Sequence, residues 1–296
     1  MSTTTRFLSV LTAFALSCAT LHAQSANAAL DAFRAGAWTK VLDAVKAVPA
    51  DAADRPKALY LEGETYLVVA RPDLAEASFR AVLAARPEAE PAKLGLGRAL
   101  CAKGELAEAE TILTALATNA AKDANVKLAL GELRAKQKKD DLAKKAFAEA
   151  WTLEPKSAEV ARAYCAFLWS TDDDAGAKRV VDALAKAQPK HAMVPFLQAL
   201  GFERANEPAK AIEAYEKALA LDASFLDAHK NLAILCHTRN PMYQDAKRTD
   251  MALAHYAKYF ELGGNDPELK QSYTQFKGFM DEYFGKGKGK DKKEPK

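Results

Sequence analysis

His229, Cys236 and His237 are three side chains able to ligate a transition metal within one nine-residue stretch. Their spacing argues against that chemistry. A helix brings residues seven apart onto one face but turns the eighth away, and no C-x-x-C or H-E-x-x-H pair accompanies them. No metal and no cofactor are therefore expected. Phosphate and acyl-transfer chemistry have no better footing, because the chain lacks a glycine-rich phosphate loop and a G-x-S-x-G elbow. Its carboxylates are scattered among lysines, as on solvated helix faces. No catalytic residue is assigned, and an enzyme is the weakest of the functional alternatives. Cys18 is the remaining reactive candidate, since Ala15-Leu16-Ser17-Cys18 resembles the lipobox that directs cysteine lipidation in bacteria. Leucine usually stands where this chain has Ala15, so removal of Cys18 with a leader peptide is the competing reading.

That leader is legible by itself. Arg6 precedes an apolar run from Phe7 to Leu16, the length of a signal-peptide core and too short to span a bilayer. Small residues permit cleavage after Ala23, or as late as Ala28 in an Ala26-x-Ala28 pattern. The expectation is an exported chain, periplasmic or secreted, or an outer-membrane lipoprotein if Cys18 is retained. No later apolar run approaches the length of a membrane helix.

The elements that position everything else are set by one period. Ala75, Ala109, Ala143, Ala177 and Ala211 fall 34 residues apart without a slip. Four residues after each comes a bulky apolar side chain: Phe79, Leu113, Phe147, Val181 and Tyr215. Prolines stop the chain at Pro87, Pro155 and Pro189, with Ala121 and Ala223 in the equivalent places. Turn-forming pairs recur in phase as Arg71-Pro72, Gly104-Glu105, Lys138-Lys139, Asp172-Asp173 and Asn206-Glu207. Helix, turn, helix and stop repeat in tandem. Few glycines, 14 among 296 residues, and an abundance of Ala, Leu, Glu and Lys agree with an all-helical chain.

This pattern resembles the tetratricopeptide repeat family, and the resemblance covers nearly the whole mature chain. It implies an all-α, right-handed superhelical solenoid of helix-turn-helix repeats with a C-terminal capping helix. Small residues on the first helix of each unit, helix A, include Gly63, Gly97, Gly131 and Ala233. At 196–204 the Leu200-Gly201 pair comes two places late, so Ala199 takes the small position. The expected layout is a signal peptide at 1–23, an irregular first repeat at 24–55 with its turn at Gly36-Ala37-Trp38, and five regular units over 56–223. An irregular last repeat follows at 224–266, where Ala252 and Tyr256 trail Ala211 and Tyr215 by 41 residues and so demand a longer turn. Asp266 and Pro267 start a capping helix over 267–284, striped by Leu269, Tyr273, Phe276, Met280 and Tyr283 and widened by Phe279 and Phe284.

Charge divides the chain. The whole carries +3, while the tail at 285–296 has six lysines against Asp291 and Glu294. A tail of that composition buries no apolar surface and is expected to be disordered. It serves as a solubilising end or as a weak contact with an anionic envelope surface. The slightly acidic remainder offers no nucleic-acid footprint. Cys101, Cys165 and Cys236 sit on helices A of units that do not touch, which reads as buried small hydrophobes rather than as disulfide partners.

Because the family's helices A line a groove, the resemblance implies where a protein or peptide partner would bind. The groove places hold Tyr60, Glu64 and Leu67, then Leu94 and Arg98, Leu128 and Glu132, Arg162 and Trp169, Phe196 and Leu200, and Lys230 and Ile234. Trp169 and Phe196 are the expected anchors for an apolar peptide. The lysine and asparagine set that clamps a terminal carboxylate in some relatives is absent as a set, because Lys230-Asn231 stands alone. The expected function is a non-enzymatic interaction scaffold of the bacterial envelope. A narrower alternative is a lipidated assembly subunit of an outer-membrane or pilus machine. Partner identity and oligomeric state are not legible.

Overall fold

A computed structural model describes residues 26–239 and 245–283. The signal peptide, Cys18, Phe284, the lysine-rich tail and much of the expected long turn in the last repeat lie outside the described residues. The described residues form helices and no strand. The first is α1 (26–34), followed by α2 (Trp38–Lys46), α3 (Arg55–Val68), α4 (Pro72–Ala85), α5 (Glu90–Lys103), α6 (Leu106–Asn119), α7 (Ala124–Lys136) and α8 (Asp140–Leu153). These belong to one compact unit, which ends at Glu154. A second unit starts at Pro155 and holds α9 (Ala158–Ser170), α10 (Asp174–Ala187), α11 (Met193–Arg204), α12 (Pro208–Leu221), α13 (Leu226–Thr238), α14 (Ala246–Glu261) and α15 (Pro267–Tyr283).

Within each unit, consecutive helices pack in pairs and each pair packs on the next. The periodic alanines are what allow it. Ala75, Ala109, Ala143, Ala177, Ala211 and Ala252 are all completely buried, as are Phe79, Leu113, Tyr215 and, nearly so, Phe147 and Tyr256. Each bulky side chain fills the space that a small residue on helix A leaves open. A Cβ on Gly63 would lie 2.8 Å from the Phe79 ring, one on Gly97 2.6 Å from Leu113, and one on Gly131 2.9 Å from Phe147. Ala199 is fully buried while Gly201 has open space around its Cα, so the small position in α11 belongs to Ala199.

The turns inside the repeats share one backbone solution. Gly36, Ala70, Gly104, Lys138, Asp172 and Asn206 all adopt left-handed φ, between 56° and 90°, and they fall at the 34-residue interval. Each closes its helix with a Schellman pair of hydrogen bonds. Arg71 N donates to Tyr66 O at 2.8 Å and Ala70 N to Leu67 O at 3.2 Å; Glu207 N and Asn206 N do the same to Phe202 O and Glu203 O. Gly263 repeats the motif at the end of α14. The helix after α14 then starts at Asp266, whose Oδ1 accepts from Leu269 N at 3.0 Å. Leu269 and Phe276 of α15 are buried, and Phe276 stacks on His237 at 4.1 Å, whereas Phe279 is exposed.

Candidate partner groove

In the first unit the helices A are α3, α5 and α7. Tyr60, Leu67 and Leu94 are half-buried, packed against the core on one side and open on the other. The Tyr60 ring stands edge-on to Phe79 at 5.9 Å. Burial, then the neighbouring Glu64 carboxylate, pushes its phenol up to about 12. Arg98 on α5 reaches back to Glu64 on α3 with 3.5 Å between Nη1 and Oε2, an ion pair that ties two successive helices A. Leu128 corrects the expectation. It is 5% exposed and belongs to the core.

In the second unit the helices A are α9, α11 and α13. Here Phe196 is the larger correction, since it is 3% exposed. Its ring is enclosed by Phe225 at 4.8 Å and Tyr215 at 5.8 Å, so it packs the repeats together and offers a partner nothing. Lys230 is likewise committed, with Nζ 2.6 Å from Asp266 Oδ2. Arg162 is exposed and pairs with Asp227 across 3.0 Å, spanning from α9 to α13. The three groove residues that do converge are Trp169, Leu200 and Ile234. They line a cavity of about 270 Å³ together with Glu203, Arg204 and Asn231.

Glu203 and Asn231 were not among the groove positions taken from the repeat pattern. Glu203 could have been found by phase, because it follows Trp169 by 34 residues. The buried Tyr215 hydroxyl donates to Glu203 Oε1, and Asn231 Nδ2 donates to that hydroxyl at 3.3 Å. Desolvation raises the Glu203 carboxyl above its ordinary value despite this bond, and burial followed by the same bond raises the Tyr215 phenol. Arg204, on the cavity wall, is held by Asp174 at 2.7 Å and Asp172 at 3.1 Å.

The histidines and cysteines take structural places. His229 Nε2 faces the Ala223 carbonyl at 3.1 Å and must donate to it, while its Nδ1 shares a hydrogen bond with His255 Nδ1 at 2.8 Å. His237 Nδ1 contacts the Tyr256 hydroxyl at 3.1 Å. Cys236 is buried on α13 between them in sequence, and no group of three or more potential ligands gathers among the described residues. Burial pushes the thiols of Cys101, Cys165 and Cys236 up to about 11, 12 and 11, so they are protonated and unreactive at neutral pH. No described helix is long and apolar enough to cross a membrane.

Paired antiparallel helices at a fixed interval, with small residues on helix A receiving bulky ones from helix B, define an all-α repeat solenoid. Residues 70–133 match the family described as Tetratricopeptide repeat. No curated protein matches the sequence. A tetratricopeptide repeat protein from Parabacteroides merdae ATCC 43184 is similar in fold, at 14% identity and a TM-score of 0.56, covering 86% of this chain and 98% of its own. The Cut9–Hcn1 hetero-tetramer of APC/C is similar at 15% identity and a TM-score of 0.53, over 84% of this chain and 48% of its own. Pseudomonas aeruginosa pilF, at 18% identity, covers 68% of this chain and 94% of its own with a TM-score of 0.49.

Proposed function

We propose that this protein is a non-enzymatic scaffold of the bacterial cell envelope that binds a peptide or protein segment along its helix-A faces. The observation that carries this reading is the cavity on the second unit, where Trp169, Leu200 and Ile234 leave apolar surface half-open beside fixed polar groups. Apolar anchors with a few oriented polar neighbours suit recognition of an extended or helical segment. The first unit contributes Tyr60, Leu67 and Leu94 with the Glu64–Arg98 pair as a further stretch of the same kind of surface. Placement in the envelope rests on the N-terminal leader pattern alone.

The test is a crosslinked pull-down from fractionated cells, comparing the native chain with Trp169→Ala. Loss of the captured segment with an unchanged helical spectrum is the expected result. Undiminished capture by the folded variant would sink the groove reading. Fractionation tests the compartment in the same experiment: a soluble, processed chain is expected. A lipidated Cys18 in the membrane fraction would favour an assembly subunit, and an uncleaved cytosolic chain would overturn export.

A further inference from the structure

The cavity between α9, α11 and α13 contains a carboxylate, Glu203, that feels the attraction of Arg239 but forms no ion pair among the described residues. Of its six lining residues, Trp169, Leu200 and Ile234 are apolar, Asn231 is neutral, and Arg204 has its guanidinium engaged by Asp172 and Asp174. Glu203 remains. Its orientation is fixed from below, since Tyr215 is fully buried and its hydroxyl, itself receiving Asn231 Nδ2, donates to one carboxylate oxygen. An acid held in place by a tyrosine it cannot leave, under a half-open tryptophan, is complementary to a cation.

We propose that this pocket takes a single basic side chain, lysine or arginine, projecting from an otherwise apolar stretch of the bound segment. Resting on the groove reading above, it names the chemistry the groove selects. A volume of about 270 Å³ suits one long side chain rather than a packed helix. The aliphatic stem lies against Leu200 and Ile234, the charged head meets the free oxygen of Glu203, and the Trp169 ring covers it. Desolvation already holds the Glu203 carboxyl above its usual range, so an incoming cation also relieves a cost the empty pocket carries. An acidic or phosphorylated side chain is disfavoured by the same carboxylate.

The plain alternative is that Glu203 serves only as the acceptor for Tyr215. Glu203→Gln separates the two, because an amide oxygen still accepts the hydroxyl while the charge is gone. Peptides selected from a random display library on the full-length chain are the probe, each resynthesised with its arginine replaced by citrulline, a neutral isostere. The expected result is enrichment of a basic residue, with citrulline weakening binding about tenfold on the native chain and by less than about twofold on Glu203→Gln. Trp169→Leu should weaken the same peptides while Glu203 is intact. If selected peptides lose affinity for a folded Leu200→Asp chain but tolerate citrulline, or bind Glu203→Gln as tightly as native, the pocket proposal falls and the groove reading survives. If they bind Leu200→Asp unchanged, both fall.

Discussion

At the scale of single residues, the close approach of helices rests on glycines whose neighbours can be named. Phe79 is the sharpest case, for its ring is pressed between Gly63 of α3 and Gly95 of α5, and a methyl group at Gly95 would run into that ring. Gly95→Ala should therefore destabilise the first unit by about 1–3 kcal/mol, the cost of overpacking a filled core. Gly201→Ala, a helical glycine with nothing near it, should instead stabilise by about 0.5–1 kcal/mol through lost backbone entropy in the unfolded chain. Urea melts of the two variants settle both, and a tolerated Gly95→Ala would overturn the packing assignment. Gly63, Gly97 and Gly131 were legible from the repeat because each keeps phase with its own unit. Gly95 was not, since what constrains it is the aromatic of the preceding repeat, and a period records positions within a unit better than contacts between units.

At the scale of elements, the turns and the α13–α14 pair make opposite demands on the sequence. Left-handed backbone is natural for Gly36 and Gly104 and tolerable for Asp172 and Asn206, but Ala70 and Lys138 hold it against their Cβ atoms. Ala70→Gly and Lys138→Gly should each raise stability by about 0.5–1 kcal/mol, the relief of left-handed strain less the entropy of glycine. A fall in denaturation midpoint for either would show that the strain is absorbed elsewhere. The turn locations were legible from residue type, whereas the shared left-handed conformation was not, because alanine and lysine carry no signal for it. Between α13 and α14 the question is pH. Desolvation, then the adjacent His229, lowers the His255 imidazole from 6.5 to about 4, and burial lowers His237 as well. The unfolded chain binds these protons first, so their stabilising contribution is complete above about pH 6.5 and is lost as pH falls towards 4. Melting temperature measured from pH 7.5 to 4.5 should drop more steeply for the native chain than for His255→Leu; parallel curves would remove the pair from the acid response.

At the scale of the whole molecule, the 34-residue period carried the all-helical repeat class, because a mechanism that needs one small residue opposite one bulky residue writes itself into every copy. The binding face was legible only in outline. Leu128 and Phe196 keep the phase of groove residues yet are buried, the second of them enclosed by Phe225 and Tyr215. Phase fixes which way a side chain leaves its helix; the bulk of neighbouring repeats decides whether it stays open. The same distinction bears on processing. Both leader cleavage sites satisfy the small-residue pattern, but Ala26 and Ala29 are completely buried in α1, packed in one cluster with Val41, Val45, Ala58 and Leu61. Asn27 Oδ1 also lies 3.4 Å from Lys57 Nζ. Cleavage after Ala28 would strip the first turn from that cluster and expose apolar surface on α2 and α3, at a cost of about 0.8 kcal/mol for each methylene-sized group uncovered. A chain beginning at Gln24 keeps the helix whole. On the proposed export, intact mass of the processed protein should accordingly correspond to cleavage after Ala23, and a variant chain begun at Ala29 should expose the amides of α2 and α3 to faster hydrogen exchange. Native mass matching Ala29, with exchange unchanged, would mean that the cluster closes without its first turn.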